Sequence, residues 1–253
     1  VDMAMHAGRI LLKNGGEIFR VEETIKRICG RFHVNHVDIF SMSHGIFVSA
    51  ENENGEAYTK VNHVPLSSSH LGIVAEVNEL SREISAGRVK LEEAEERLKK
   101  IEKIPPKKRW FQCMAAGLAS GTFALMLGSS VPEAVAAFFI GFLSYVWVLF
   151  AGKHNLSKII VNIVGGVIMT VLALAFMHIP FLPILKLDGM MVGAIMPMIP
   201  GVAFVNAIRD IADTDFLSGL VRMIDALLVF VYIAIGVGVT LSIYNTMMGG
   251  ILR

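Results

Sequence analysis

The sequence predicts an α-helical integral membrane protein with five transmembrane helices, preceded by a small α+β domain. Three observations predict it. First, charge is unevenly placed: of the 23 Lys and Arg and 22 Asp and Glu, 33 fall in residues 1–109 and only 12 in residues 110–253. Second, the later part contains charge-free runs at 110–132, 134–152, 159–185, 189–208 and 226–252. About 20 apolar residues suffice to cross a hydrocarbon layer about 30 Å thick. Third, the earlier part mixes amphipathic helical stripes with short β-rich runs, as a folded domain does. These features exclude a single soluble globule, a disordered chain and a collagen-like fibre. A net charge of +1 gives no basic footprint for nucleic acid, so the lipid bilayer is the expected surroundings and nucleic acid is not a partner.

Residues 1–104 form one domain by size. Gly8, Leu11, Gly15, Ile18, Val21, Ile25, Ile28 and Phe32 recur at steps of three and four, the spacing of one amphipathic helix. Val37–Met42, Ile46–Ala50 and Ala57–Val64 are β-rich runs separated by Ser-His-Gly and by Asn52-Glu53-Asn54-Gly55, which predicts a three-stranded meander. Ile73, Val77, Leu80 and Ile84 stripe a further helix ended by Gly87. Leu91, Ala94, Leu98 and Ile101 stripe the next, stopped by Pro105-Pro106.

Residues 105–253 are the membrane domain, with spans at about 110–130, 134–152, 159–179, 189–208 and 225–246. Lys107-Lys108-Arg109-Trp110 places a basic cluster and a Trp at the mouth of the first run, a membrane-interface signature. With Arg109 cytoplasmic, the inside segments hold Lys107, Lys108, Arg109, Lys153, Lys158, Arg209 and Arg222, against Lys186 and Arg253 outside. That bias predicts a multi-pass protein of the cell membrane with a cytoplasmic N-terminal domain and an external C-terminus. An odd number of spans lets a second, related set of five enter from the opposite side. This is the inverted pairing on which many secondary transporters are built. The partner is then a second copy, making a homo-oligomer, or a separate five-span subunit.

The fourth span carries the strongest candidate site. Pro197 and Pro200 lie near its middle; each lacks an amide donor and disturbs the carbonyl one turn earlier. Hydrocarbon cannot satisfy those carbonyls, so the break is expected to be buried or to line a wet cavity. The segment starting at Gly201 aims its first amides into the gap, a seat for a carboxylate. A proline-kinked packing helix is the structural alternative. Asn206, Asn162 and Thr170 offer hydrogen bonds to a polar ligand or to neighbouring helices. Arg209 and Asp210 guide an anion, exchange a proton, or anchor the span. Asp225 opens the fifth span, with Arg222 as its i,i+3 partner. Gly117 with Gly121, and Gly165-Gly166, are expected to let helices pack closely.

The first domain offers less. His6, His33, His36, His44, His63 and His70 match no zinc pattern, and no metal or cofactor is expected. Cys29 and Cys113 give no disulfide framework. No phosphate loop or nucleophile elbow occurs, which argues against an enzyme. Glu17 and Arg20 lie beside Gly15-Gly16 and are the candidate gating pair; the glycines imply close packing or a kink.

Asn14-Gly-Gly-Glu-Ile-Phe-Arg-Val-Glu-Glu-Thr-Ile25 resembles the opening signature of the threonine/serine exporter family. Pro197-Met-Ile-Pro-Gly201, Ala207-Ile-Arg-Asp210 and Ser218-Gly-Leu-Val-Arg222 resemble that family's membrane signature. The matches run from about residue 5 to residue 245. The resemblance implies efflux of a small carboxylate-bearing metabolite. Fused members have about ten spans and export threonine and serine. Split pairs, whose longer subunit this chain resembles, are associated with succinate. The expected function is therefore one subunit of a secondary transporter for threonine/serine or succinate, working with a second small five-span subunit. A membrane-anchored enzyme or a sensor acting through residues 1–104 is the alternative.

Overall fold

The computed structural model describes residues 1–51, 55–65, 69–179 and 185–248. The Asn52–Asn54 turn, Arg253 and the external C-terminus expected above lie outside the described residues. Residue contacts divide the chain into two compact units. One is Val1–Pro105 with Gly201–Asp225; the other is Pro106–Pro200 with the chain from Ala226 onward.

The single N-terminal helix expected from the apolar spacing is two helices, α1 (Asp2–Lys13) and α2 (Ile18–Arg31). The chain turns at Gly15, whose φ of +84° is open to glycine at no steric cost. Helix α1 ends as the Gly16 N–H donates to the Leu11 carbonyl (2.8 Å) and Asn14 Nδ2 donates to the Ile10 carbonyl (2.7 Å). A Cβ on Gly16 would lie 2.9 Å from the Leu11 carbonyl oxygen, so both glycines serve the turn.

Strands β1 (Asn35–Met42), β2 (Gly45–Glu51) and β3 (Ala57–His63) form the expected antiparallel meander in the order β1-β2-β3. Phe40 pairs with Phe47, and Phe47 with Val61. Alternation sends Ile46, Val48 and Ala50 of β2 inward. Helices α3 (Leu71–Ser85) and α4 (Leu91–Glu102) follow. His70 caps α3, its Nδ1 accepting from the Ile73 N–H (3.1 Å). The stripes of α1 to α4 meet the sheet in one core that includes Leu11, Ile18, Ile25, Ile46, Leu80 and Leu98. Each such side chain is worth about 1.5–3 kcal/mol when fully buried.

The remaining helices are α5 (Arg109–Met126), α6 (Val131–Lys153), α7 (Lys158–Met177), α8 (Leu187–Ile195), α9 (Gly201–Ala212) and α10 (Phe216–Met247). Three of them, α6, α7 and α10, are long and apolar enough to cross a membrane. The interrupted pair Leu187–Met198 and Gly201–Ala212 supplies a fourth crossing if taken as one span. Helix α5 falls short of that test: Arg109 and Gln112 open it, and Gly117, Ser120, Gly121 and Thr122 dilute its apolar character. Helix α10 begins nine residues before its expected start at 225. Charged residues ended the apolar run there, but they do not end a helix.

Close approach of backbones organises the second unit. A Cβ on Gly121 would lie 3.0 Å from the Ala134 carbonyl oxygen, and one on Gly166 2.7 Å from that of Ile233. The glycines of α5 and α7 therefore seat α6 and α10, the packing expected of them. Glu133 is buried at the head of α6 and was not singled out from the sequence. It accepts from the Ser130 N–H (2.7 Å) and the Lys186 N–H (2.9 Å), tying the start of α6 to the start of α8. Ser130-x-x-Glu133 is a capping box, the signal by which it could have been found.

Candidate functional site

The fourth apolar run is broken where its prolines predict. Helix α8 stops at Ile195, Met196–Met198 make one 3-10 turn, and Ile199 is extended (ψ 127°) before α9 starts at Gly201. Pro197 and Pro200 are half-buried and Gly201 is exposed. A Cβ on Gly201 would meet nothing within 4 Å, so this glycine is not required by packing.

The polar residues one to three turns further on converge within the first unit. Gly219 near the start of α10 lets α9 approach closely: a Cβ there would lie 2.9 Å from both the Ala207 carbonyl oxygen and the Ile211 nitrogen. Three residues beyond Gly219 and Ala207, Arg222 and Asp210 meet. Arg222 Nη1 donates to Asp210 Oδ2 (2.9 Å), with the side chains 6% and 2% exposed. A buried ion pair recovers its desolvation cost only when its remaining hydrogen-bonding groups are satisfied. The turn between α1 and α2 supplies those partners. Arg222 Nη2 donates to the Gly16 carbonyl (3.1 Å), and the Ile18 N–H donates to Asp210 Oδ1 (3.3 Å).

The same turn engages two more residues of α9. Asn206 Nδ2 donates to the Gly15 carbonyl (2.8 Å). The Glu17 carboxylate takes Arg209 on one oxygen and Arg20 Nε on the other, the latter at 3.3 Å. Four consecutive residues, Gly15 to Ile18, thus meet four polar side chains of α9 and α10. Beside them, burial and the neighbouring Asp213 charge push the Asp215 carboxyl up. Burial also raises the Glu22 carboxyl, against the Ser41 N–H that it accepts (2.7 Å).

The structure therefore brings together Asn206, Arg209, Asp210, Arg222, Glu17 and Arg20. Helical spacing makes Asp225 the expected i,i+3 partner of Arg222; in the structure Arg222 donates to Asp210 and to the Gly16 carbonyl. Asn162 and Thr170 belong to the other unit. Their side chains donate to carbonyls of their own helix, at Lys158 (2.7 Å) and Gly166 (2.8 Å). The backbone groups of Gly15, Gly16 and Ile18 were not anticipated as site components, although the Gly15-Gly16 pair marked the place. Among the described residues no three His, Cys, Asp or Glu side chains converge as metal ligands.

Buried charge beside a broken apolar helix suits a protein that handles polar solutes at a membrane. Comparison with known proteins agrees. The chain is 24% identical over 248 residues to a threonine/serine exporter of Corynebacterium glutamicum, covering 96% of this chain and 51% of that relative. It thus spans about half the length of the curated relative it matches. No solved structure matches it. The threonine/serine exporter profile matches residues 2–244, and on that near-complete match this chain is a member of the threonine/serine exporter family.

Proposed function

We propose that the chain is one subunit of a secondary transporter that exports a small carboxylate-bearing metabolite, threonine/serine or succinate, across the cell membrane. The observation that carries this reading is the interrupted helix Leu187–Ala212, whose second half bears a buried ion pair. Five crossings result when α5 counts as a span and the interrupted pair as one, with residues 1–104 cytoplasmic and the C-terminus external. An odd number of crossings lets a second five-span subunit or a second copy enter from the opposite side and complete the machine.

In this reading the break from Pro197 to Gly201 receives the substrate carboxylate at the first amides of α9. Asn206 contributes a hydrogen bond to the ligand. Arg209, Asp210, Arg222 and Asp225 set the local charge and couple export to an ion or proton. Glu17 and Arg20 gate the cytoplasmic side. Replacing Pro197 and Pro200 together by Ala tests the break. At equal membrane abundance, efflux is expected to fall about tenfold or more, the equivalent of about 1.4 kcal/mol in the transport barrier. Undiminished efflux removes the broken-helix mechanism.

A further inference from the structure

The turn between α1 and α2 meets its neighbours with a particular chemistry. Glu17 is the N-cap residue of α2, and its side chain makes no cap hydrogen bond; the shorter Ser, Thr, Asp and Asn are the residues that cap. The Glu17 side chain reaches instead to Arg209, a residue 192 positions away in the chain. One carboxylate oxygen meets Arg209 and the other meets Arg20. The carboxylate is 19% exposed, while Arg209 and Arg20 are 58% and 45% exposed. Two guanidinium groups stand open to solvent around a carboxylate seated beneath them.

We infer that Arg209 and Arg20 form a binding site for the carboxylate of a free ligand, and that Glu17 occupies it as a tethered surrogate. Guanidinium forks suit carboxylates, because their N–H groups match both oxygens. The neighbouring turn atoms extend the likeness. The Gly15 and Gly16 carbonyls present acceptors to Asn206 and Arg222, and the Ile18 N–H presents a donor to Asp210. A small ligand entering this site therefore displaces Glu17 first and can then compete for its neighbours. The tethered carboxylate holds the site closed until free carboxylate is abundant, since a covalently linked competitor acts at high effective concentration. The inference rests on the reading that the cargo carries a carboxylate, but its test does not require transport.

Acetate carries only the group that Glu17 supplies, and is the probe. The full chain, purified in detergent, is unfolded thermally across an acetate series against chloride at matched ionic strength. In Glu17→Ala the unfolding temperature is expected to rise with acetate and not with chloride, as ligand binding to the folded state requires. Half the effect should be reached at a concentration about threefold or more below that needed by the unsubstituted protein. Adding Arg209→Ala to Glu17→Ala is expected to remove the response. Equal responses to acetate and chloride in Glu17→Ala, or a response unchanged by Arg209→Ala, overturn the inference and leave a simple surface ion pair. Acetate rescue in a protein that moves no solute in liposomes even beside an inserted five-span partner upholds this site and removes the exporter reading. Export without acetate rescue does the reverse.

Discussion

Arg222 and Asp210 show how burial alters the worth of a charge. At 6% and 2% exposure, neither can exchange its partner for water. Removing one leaves the other desolvated and unpaired, which costs about 3–5 kcal/mol. Arg209 also faces a carboxylate, but at 58% exposure its pair with Glu17 is screened, and such pairs are worth about 0.2–1 kcal/mol. Arg222→Ala is therefore expected to lower the thermal unfolding temperature of the purified protein severely, and Arg209→Ala only slightly. Similar losses for both would contradict the assigned burial. Sequence alone pointed to both arginines and to Asp210, because charge is rare after residue 109. It did not reveal the Arg222–Asp210 pairing. Helical spacing reveals neighbours along one helix, whereas this contact joins two helices through the approach that Gly219 permits.

Among the secondary-structure elements, glycines decide which helices can touch. Gly236 of α10 lies against Gly166 of α7, and a Cβ on Gly236 would fall on the Ile163 carbonyl oxygen, backbone that cannot give way as a flexible side chain would. Two residues on, a Cβ on Gly238 would meet nothing within 4 Å. Gly236→Ala is accordingly expected to reduce the yield and thermal stability of folded protein. Gly238→Ala should be neutral, or raise stability by up to about 1 kcal/mol through helix propensity. The reverse order would show that α7 and α10 do not cross there. The strand runs, α3 and α4 were legible from period and turn residues. The division between α1 and α2 was not, because Gly15 keeps the three-and-four spacing through the turn. Both helices send their stripes into the same core, so the apolar phase continues while the backbone does not.

For the molecule as a whole, composition located the change from charged to apolar sequence near residue 105, but contact does not follow composition throughout. Gly201–Asp225 groups with the N-terminal unit, because its polar residues find their partners on the turn at Gly15–Ile18 rather than in apolar surroundings. Hydropathy averaged along the chain cannot show this, since the turn lies nearly two hundred residues from the residues it engages. The same packing gives the N-terminal unit a place in the proposed machine: it holds the polar segment that follows the helix break.

In the proposed machine this chain supplies half of the exporter. The measurement that tests it most directly is solute release from liposomes loaded in parallel with labelled succinate, threonine and serine. The liposomes would carry this chain alone, a candidate five-span partner alone, or both. Release of at least one of the three solutes above the protein-free rate is expected when both subunits are present, and little when either is absent unless this chain pairs with itself. Release of none of them, from liposomes in which both proteins are shown to be inserted and folded, would contradict it.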